Sequence, residues 1–119
     1  MSIHSAKGIH YLLECSGIDL AILTDKDKLE TTLHRSAKDA GATIVETTLH
    51  EFNPQGLSGV IVIAESHIAI HTWPEHQYAA IDIFTCGDNL IAEKIYQNLL
   101  IHLKPSKHSY QVVTRKPPQ

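Results

Sequence analysis

Three extended runs lie close together in the middle of the chain, and they constrain the fold more than any other feature. Residues 57–65 (LSGVIVIAE) are almost wholly apolar, whereas residues 67–73 and 78–86 alternate between apolar and other side chains. A period of two residues is typical of a strand that buries one face. The segments between the runs are too short for a crossover helix, so we expect these strands to be antiparallel neighbours.

Two helical segments accompany these strands. The first follows a helix-start signal at Thr24–Asp27 and ends before Gly41, and the second covers residues 89–103 with Asp88 as its N-cap. Both helices can cover the same face of the sheet. We therefore expect an α+β two-layer sandwich, with a mostly antiparallel sheet and two helices on one face, in a single domain spanning residues 1–119. Further strands are predicted at residues 8–15, 42–52 and 109–115.

The alternation predicts which side chains share a face of the sheet. Ile68 and Ile70 point to one face, and in the next strand Ala79, Ile81, Ile83 and Thr85 do the same. These isoleucine faces belong under the helices. The opposite face then carries an unusual set of side chains for a solvent-exposed surface, which indicates a ligand site, a partner surface or both. That set includes His67, His71, Trp73, Phe84 and Cys86.

Composition limits the possible function classes. The net charge is −3 with histidine neutral, and no basic stripe supports nucleic-acid binding. No apolar run approaches membrane-spanning length, and the opening MSIHSAKG lacks a basic region followed by an apolar stretch, so we expect a soluble, cytoplasmic protein without a membrane partner. The 43% hydrophobic content allows a real core, but a domain this small would gain from oligomerisation. The two cysteines show no CxxC spacing and are expected to be thiols.

The histidines between residues 64 and 76 have three possible explanations. The residue types that can bind zinc here are His67, His71, His76 and Cys86. However, His67 and His71 lie about 13 Å apart along a strand, so they cannot bind one ion without a sharp bend. They can also be unremarkable members of a set of nine histidines. The third explanation is chemical and involves the junction between Glu65 and Ser66.

The chemical explanation is a self-cleavage reaction. The hydroxyl of Ser66 can attack the carbonyl of Glu65 and turn the amide into an ester, which then breaks by β-elimination and leaves a new carbonyl at residue 66. A base must remove the Cα proton of Ser66, and we expect His71 to do so as the closest histidine on a suitable alternation. A Glu-Ser pair is common, however, so only the surrounding motif can support this explanation.

The surrounding motif is specific. The segments LSGVIVIAESHIAIHTWPE and YAAIDIFTCGD closely resemble the prokaryotic, pyruvoyl-dependent S-adenosylmethionine decarboxylase proenzymes. The resemblance extends upstream through GATIVETTLHEFNPQGLSG and, more weakly, to GIHYLLE, so that it covers residues 8–90. It implies autocatalytic cleavage between Glu65 and Ser66, giving a β chain of residues 1–65 and an α chain of residues 66–119.

The resemblance also implies a role for each motif residue. Ser66 becomes a pyruvoyl group, which replaces pyridoxal phosphate, requires no metal and forms a Schiff base with the substrate amine. The resemblance further implies that the substrate is S-adenosylmethionine, that the product supplies aminopropyl groups for spermidine synthesis, and that the enzyme is a homodimer of processed αβ protomers. The implied roles are proton acceptor in processing for His71, assistance in processing for Ser58, proton donor in catalysis for Cys86, adenine packing for Phe52 and ribose binding for Glu75, with Trp73 in the same substrate-binding segment.

Two alternatives stay open at this stage. Relatives with the same self-cleavage can decarboxylate arginine or ornithine, although the presence of Phe52, Trp73 and Glu75 favours a nucleoside substrate. Phe52 or Trp73 could also stabilise the sulfonium of that substrate by cation–π attraction of about 0.5–2 kcal/mol. The non-enzymatic alternative is a small dimeric binding module that keeps the sheet and never cleaves.

Overall fold

A six-stranded antiparallel sheet forms the centre of the computed structural model, which describes residues 6–64, 66–86 and 90–118. The strands lie in the order β2-β3-β4-β5-β1-β6, and each neighbouring pair is antiparallel. The expected arrangement of the middle strands is therefore confirmed. The strands are β1 (Gly8–Ser16), β2 (Ile44–Glu51), β3 (Leu57–Ile63), β4 (Ser66–Trp73), β5 (Tyr78–Cys86) and β6 (Lys107–Arg115).

Two long helices, α2 (Lys26–Asp39) and α3 (Leu90–Leu103), cover one face of this sheet. They bury their apolar stripes against the isoleucines of the central strands, and the side-chain amide of Asn98 joins the helices by donating to the carbonyl of Ser36 at 3.0 Å. The predicted α+β class, with two helices on one face, is confirmed. The shared core includes Leu29, Leu33, Ala37, Ile95, Leu99 and Leu103 from the helices and Ile61, Ile63, Ile68, Ile70, Ile81 and Ile83 from the strands.

The start of α2 lies within the predicted helix-start signal at Thr24–Asp27. Asp25 is the N-cap, and its carboxylate accepts a hydrogen bond from the backbone N–H of Lys28 at 3.0 Å. Thr24 instead donates its hydroxyl to the carbonyl of Leu20 at 2.7 Å and closes a short helix, α1 (Leu20–Leu23), which was not predicted. The predicted N-cap of the last helix, Asp88, lies with Asn89 outside the described residues.

The two strands around residue 65 have bounds that differ from those predicted, and the difference matters for the site. The strand expected to reach residue 65 ends at Ile63, and the strand expected to start at His67 starts at Ser66. Ser66 therefore belongs to the regular alternation of β4, in register with Ile63 on one side and Thr85 on the other. This alternation puts the Ser66 side chain on the helix-covered face, which it shares with Ile68 and Ile70.

Candidate active site

The face of the sheet opposite the helices, here called the open face, carries the residues that alternation predicted for it. No described helix covers it, and its side chains are half-buried or exposed. Val60 and Trp73 are each 40% exposed and Val62 is 37% exposed, so apolar groups lie among the polar ones. Within the four central strands, the open face consists of Gly8, His10, Leu12 and Glu14 of β1, Ser58, Val60 and Val62 of β3, His67, Ala69, His71 and Trp73 of β4, and Tyr78, Ala80, Asp82, Phe84 and Cys86 of β5.

A serine–histidine pair occupies the open face where β3 meets β4. Ser58 and His71 are direct partners in the antiparallel register. The hydroxyl oxygen of Ser58 lies 2.7 Å from Nδ1 of His71, which is a hydrogen bond that orients the imidazole ring. The ring nitrogen Nε2 is directed away from Ser58, and in the tautomer whose Nδ1–H donates to the Ser58 oxygen, Nε2 is unprotonated and can accept a proton.

A cavity of about 290 Å³ opens beside this pair. Its wall contains both members of the serine–histidine pair together with the three residues predicted to bind substrate. The 3-10 turn Pro74–His76, which directly follows β4, brings Glu75 to the cavity. Five candidate residues from three segments of the chain thus meet in one place. They are Phe52, Ser58, His71, Trp73 and Glu75.

The ring of Trp73 is positioned by two residues that the sequence did not indicate, Tyr78 and Glu14. The ring stacks on Tyr78 across β4 and β5, with centroids 5.1 Å apart and planes inclined by 18°. The phenol of Tyr78 donates a hydrogen bond to the carboxylate of Glu14 on β1. This hydrogen bond is the main reason why the pKa of Tyr78 is raised to about 12. Burial of the phenol and the negative charge of Glu14 add to the rise.

The other candidate residues lie at the opposite end of β4. Ser66 is half-buried at the start of this strand, and Cys86 is half-buried at the end of β5, next to Thr85, the register partner of Ser66. The Cys86 thiol belongs to the open face, beside Gly8 of β1. The ring of Phe84 occupies the space above Gly8, since a Cβ atom built there would lie 2.4 Å from that ring.

The structure does not bring Ser66 and His71 together within one chain. The two residues are five positions apart in one strand, which corresponds to about 17 Å. Residues an odd number apart in a strand also point to opposite faces, so Ser66 faces the helices and His71 lies on the open face. The expectation that His71 lies on a suitable alternation relative to Ser66 is therefore wrong within one chain, because both distance and face separate the two side chains.

The zinc explanation finds no support in the side-chain arrangement. Among residues 6–64, 66–86 and 90–118, no three His, Cys, Asp or Glu side chains form a group that could hold a metal ion.

In that same part of the chain, no helix is long and apolar enough to cross a membrane.

Comparison with known proteins identifies the family. The model of the S-adenosylmethionine decarboxylase family matches residues 9–116 of the chain. The chain belongs to this family. The predicted enzyme class, a self-processing decarboxylase proenzyme, is confirmed along with it.

Relatives support membership of the S-adenosylmethionine decarboxylase family over most of the chain. The S-adenosylmethionine decarboxylase proenzyme of Synechococcus sp. (strain WH7803) is 46% identical over 111 residues, which cover 93% of this chain and 87% of that protein. The proenzyme of Pelotomaculum thermopropionicum is 54% identical over 83 residues, or 70% of this chain and 66% of the relative. The crystal structure of the adenosylmethionine decarboxylase from Aquifex aeolicus superposes with a TM-score of 0.87 at 32% identity, covering 94% of this chain and 92% of that one.

The contact between Glu14 and Tyr78 gives a prediction that can be tested by titration. Glu14→Gln removes the negative charge but keeps an amide oxygen, so the pKa of Tyr78 should fall from about 12 toward the usual value near 10. A pKa raised in the folded state stabilises the fold below the unfolded value, and this stabilisation is lost as pH rises from about 10 to about 12. We expect the variant to lack that alkaline loss.

Ultraviolet absorbance titration of phenolate, together with unfolding at several alkaline pH values, measures both effects. Tyr78→Phe is the matched control, because subtracting its titration curve isolates Tyr78 from Tyr11 and Tyr96, whose pKa values burial also raises. A Tyr78 titration that is the same in wild type and Glu14→Gln would contradict the assignment.

Proposed function

We propose that the chain cleaves itself between Glu65 and Ser66 and then decarboxylates S-adenosylmethionine to the aminopropyl donor used for spermidine synthesis. The proposed products of cleavage are a β chain of residues 1–65 and an α chain of residues 66–119. One observation carries the proposal beyond family membership. The five residues proposed for processing and nucleoside binding line a single cavity on the open face, although they come from three separate segments of the chain.

The position of Ser66 suits a residue that must become a reactive chain end. Ser66 is the first residue of β4, so a break before it leaves the register of β4 with β3 and β5 intact. A carbonyl made from Ser66 would act as the electron sink that decarboxylation of an amino acid needs, without pyridoxal phosphate or a bound metal. The proposed cofactor is thus a pyruvoyl group that the chain makes from its own residue.

Self-cleavage balances as follows. The Ser66 hydroxyl oxygen bonds to the carbonyl carbon of Glu65, the C–N bond breaks, and the serine proton passes to the nitrogen, which gives an ester. A base removes the Cα proton of Ser66, the Cβ–O bond breaks, and Glu65 leaves as a carboxylate. The resulting enamine gains a proton at carbon, and water then replaces its nitrogen as ammonia. We assign the base to His71, with Ser58 holding the ring in place through the 2.7 Å hydrogen bond.

The separation of about 17 Å between Ser66 and His71 within a chain favours a base that is supplied by a second copy. We therefore propose a homodimer of αβ protomers in which two open faces meet. In a two-fold arrangement, the Ser66 end of one protomer faces the serine–histidine cavity of the other, and the reverse holds at the second site. The exposed apolar side chains of Val60, Val62 and Trp73 on this face would be buried there.

Substrate recognition follows from the chemistry of the cavity. Phe52 is 52% exposed and offers an aromatic face to adenine, while the carboxylate of Glu75 can accept hydrogen bonds from ribose hydroxyls. Arginine and ornithine present neither group, so this lining favours the nucleoside. We propose Cys86, whose thiol is on the open face at the Ser66 end, as the donor that returns a proton to the substrate Cα after carbon dioxide leaves. The cytoplasmic location stays a prediction.

The first test is the mass of the purified protein under denaturing conditions. We expect two fragments, residues 1–65 and residues 66–119. The mass of the second fragment should be lower, by one ammonia, than that of the same chain beginning with an intact serine. Ser66→Ala should give a single full-length chain, because the attacking hydroxyl is absent. A wild-type chain that stays whole after long incubation would favour the non-cleaving binding module and contradict the proposal.

The shared site predicts complementation between two inactive variants. His71→Ala lacks the proposed base and Ser66→Ala lacks the nucleophile, so neither should cleave alone. When the two are co-expressed with different tags, the His71→Ala chain should be cleaved, because His71 of the partner subunit serves its Ser66. Fragment masses identify which chain is cut. Absence of cleavage in purified mixed dimers would show that the base acts within its own chain.

The decarboxylation step is tested by carbon dioxide release from carboxyl-labelled substrates. Cleaved protein should release carbon dioxide from S-adenosylmethionine in large excess over arginine or ornithine. Cys86→Ala should lower the rate by about 10²–10⁴-fold, the usual contribution of a positioned proton donor. Cys15→Ala is the matched control, because that thiol is fully buried in the core and should be dispensable for the chemistry. Preferential turnover of a basic amino acid would assign the enzyme to the other substrate class.

A further inference from the structure

Thr85 carries a buried hydroxyl group that the fold does not use. The residue is 3% exposed, and its Oγ1 atom has no hydrogen-bond partner among the residues that the structure describes. Valine has the same shape and would fill this position on the helix-covered face without leaving a polar atom unpaired. Such an orphaned group in a native core calls for a chemical reason.

The position of Thr85 in the sheet supplies that reason. It is the direct register partner of Ser66 across β4 and β5, and the two side chains lie on the same face. Directly opposed residues in an antiparallel pair have Cβ atoms about 4.5–5.5 Å apart, so two hydroxyl oxygens can meet at hydrogen-bond distance. The neighbour of Ser66 on its other side, Ile63, has no polar side-chain atom. Of these two lateral neighbours, only Thr85 can therefore contact the Ser66 hydroxyl with a polar group.

We propose that Thr85 is a positioning residue for self-cleavage: the two hydroxyls are not bonded to each other in this structure, and a rotation of the Ser66 side chain lets Thr85 Oγ1 accept its proton and orient the attacking oxygen. With its proton held by Thr85, the Ser66 oxygen directs a lone pair toward the preceding carbonyl carbon. Thr85 gains and loses no covalent bond in the reaction. The inference rests on the proposed function, because it assigns a role in the first step of that cleavage, the conversion of amide to ester.

The role predicts a variant that folds well and cleaves slowly. Thr85→Val keeps the shape and removes the hydroxyl, so its melting temperature should equal or exceed that of the wild type. Cleavage of freshly synthesised precursor, followed by intact mass over time, should slow by about 10- to 100-fold, the usual effect of misplacing a reacting group. Thr85→Ser should restore most of the rate. Ser36→Ala is the matched control, because it removes another buried hydroxyl, one bonded to the carbonyl of Thr32, and should cleave at the wild-type rate.

Hydroxylamine separates the two steps of the reaction, because it attacks the ester carbonyl and releases the chain without elimination. The proposed base variant His71→Ala can still form the ester and should be cut by hydroxylamine. Thr85→Val should resist it, because its ester forms slowly. Wild-type speed in Thr85→Val, equally slow Thr85→Ser, or ready cutting of Thr85→Val by hydroxylamine would each overturn the inference. A wild-type chain that never cleaves would instead overturn the proposed function.

Discussion

The antiparallel register of β3, β4 and β5 decides where each candidate residue lies. Because Ser58 is opposite His71, a hydroxyl and an imidazole meet at 2.7 Å on the open face. The same register, five rungs of the β4–β5 ladder away, puts Ser66 opposite Thr85 on the helix-covered face. A slip of one residue would exchange the two faces of β4 and would destroy both the isoleucine core and the site at once. Core and chemistry therefore depend on the same hydrogen-bond ladder.

Placing the reactive groups at opposite ends of one strand has a consequence for assembly. A strand is stiff, so the distance of about 17 Å between Ser66 and His71 cannot be closed by a side-chain rotation. Two copies related by a two-fold axis can close it, since this symmetry brings one end of a strand to the other end of its partner. In the proposed dimer, the contact between the two open faces supplies the base for processing and also buries the exposed apolar side chains.

Alternation alone was enough to predict both faces of the sheet. The assignments of Ile68, Ile70, Ile81 and Ile83 to the core and of His71, Trp73 and Cys86 to the other side agree with their burial and register. The contact between Glu14 and Tyr78 could not be predicted, because 64 positions separate them in sequence and only the pairing of β1 with β5 joins them. Short elements such as α1 and the turn at Pro74–His76 carry too few residues for a period to show.

The error over His71 has a related origin. Closeness in sequence does not give closeness in space here, because in a strand each residue adds about 3.3 Å and reverses the face. The family motif names the residues that share a reaction without stating that one chain must supply them all. Only the register shows that Ser66 and His71 cannot meet within one protomer.

Cleavage itself can reconcile the two faces on which the proposed groups lie. Before the cut, the peptide bond from Glu65 fixes residue 66 in the alternation of β4, with its hydroxyl on the Thr85 side. After the cut, residue 66 is the first residue of the α chain, and no preceding peptide bond restrains it. Its carbonyl is then free to turn toward the open face, where the Cys86 thiol and the substrate cavity of the partner subunit would lie. In this proposal, the cleavage reaction both creates the cofactor and releases it from the strand geometry that had aligned its precursor.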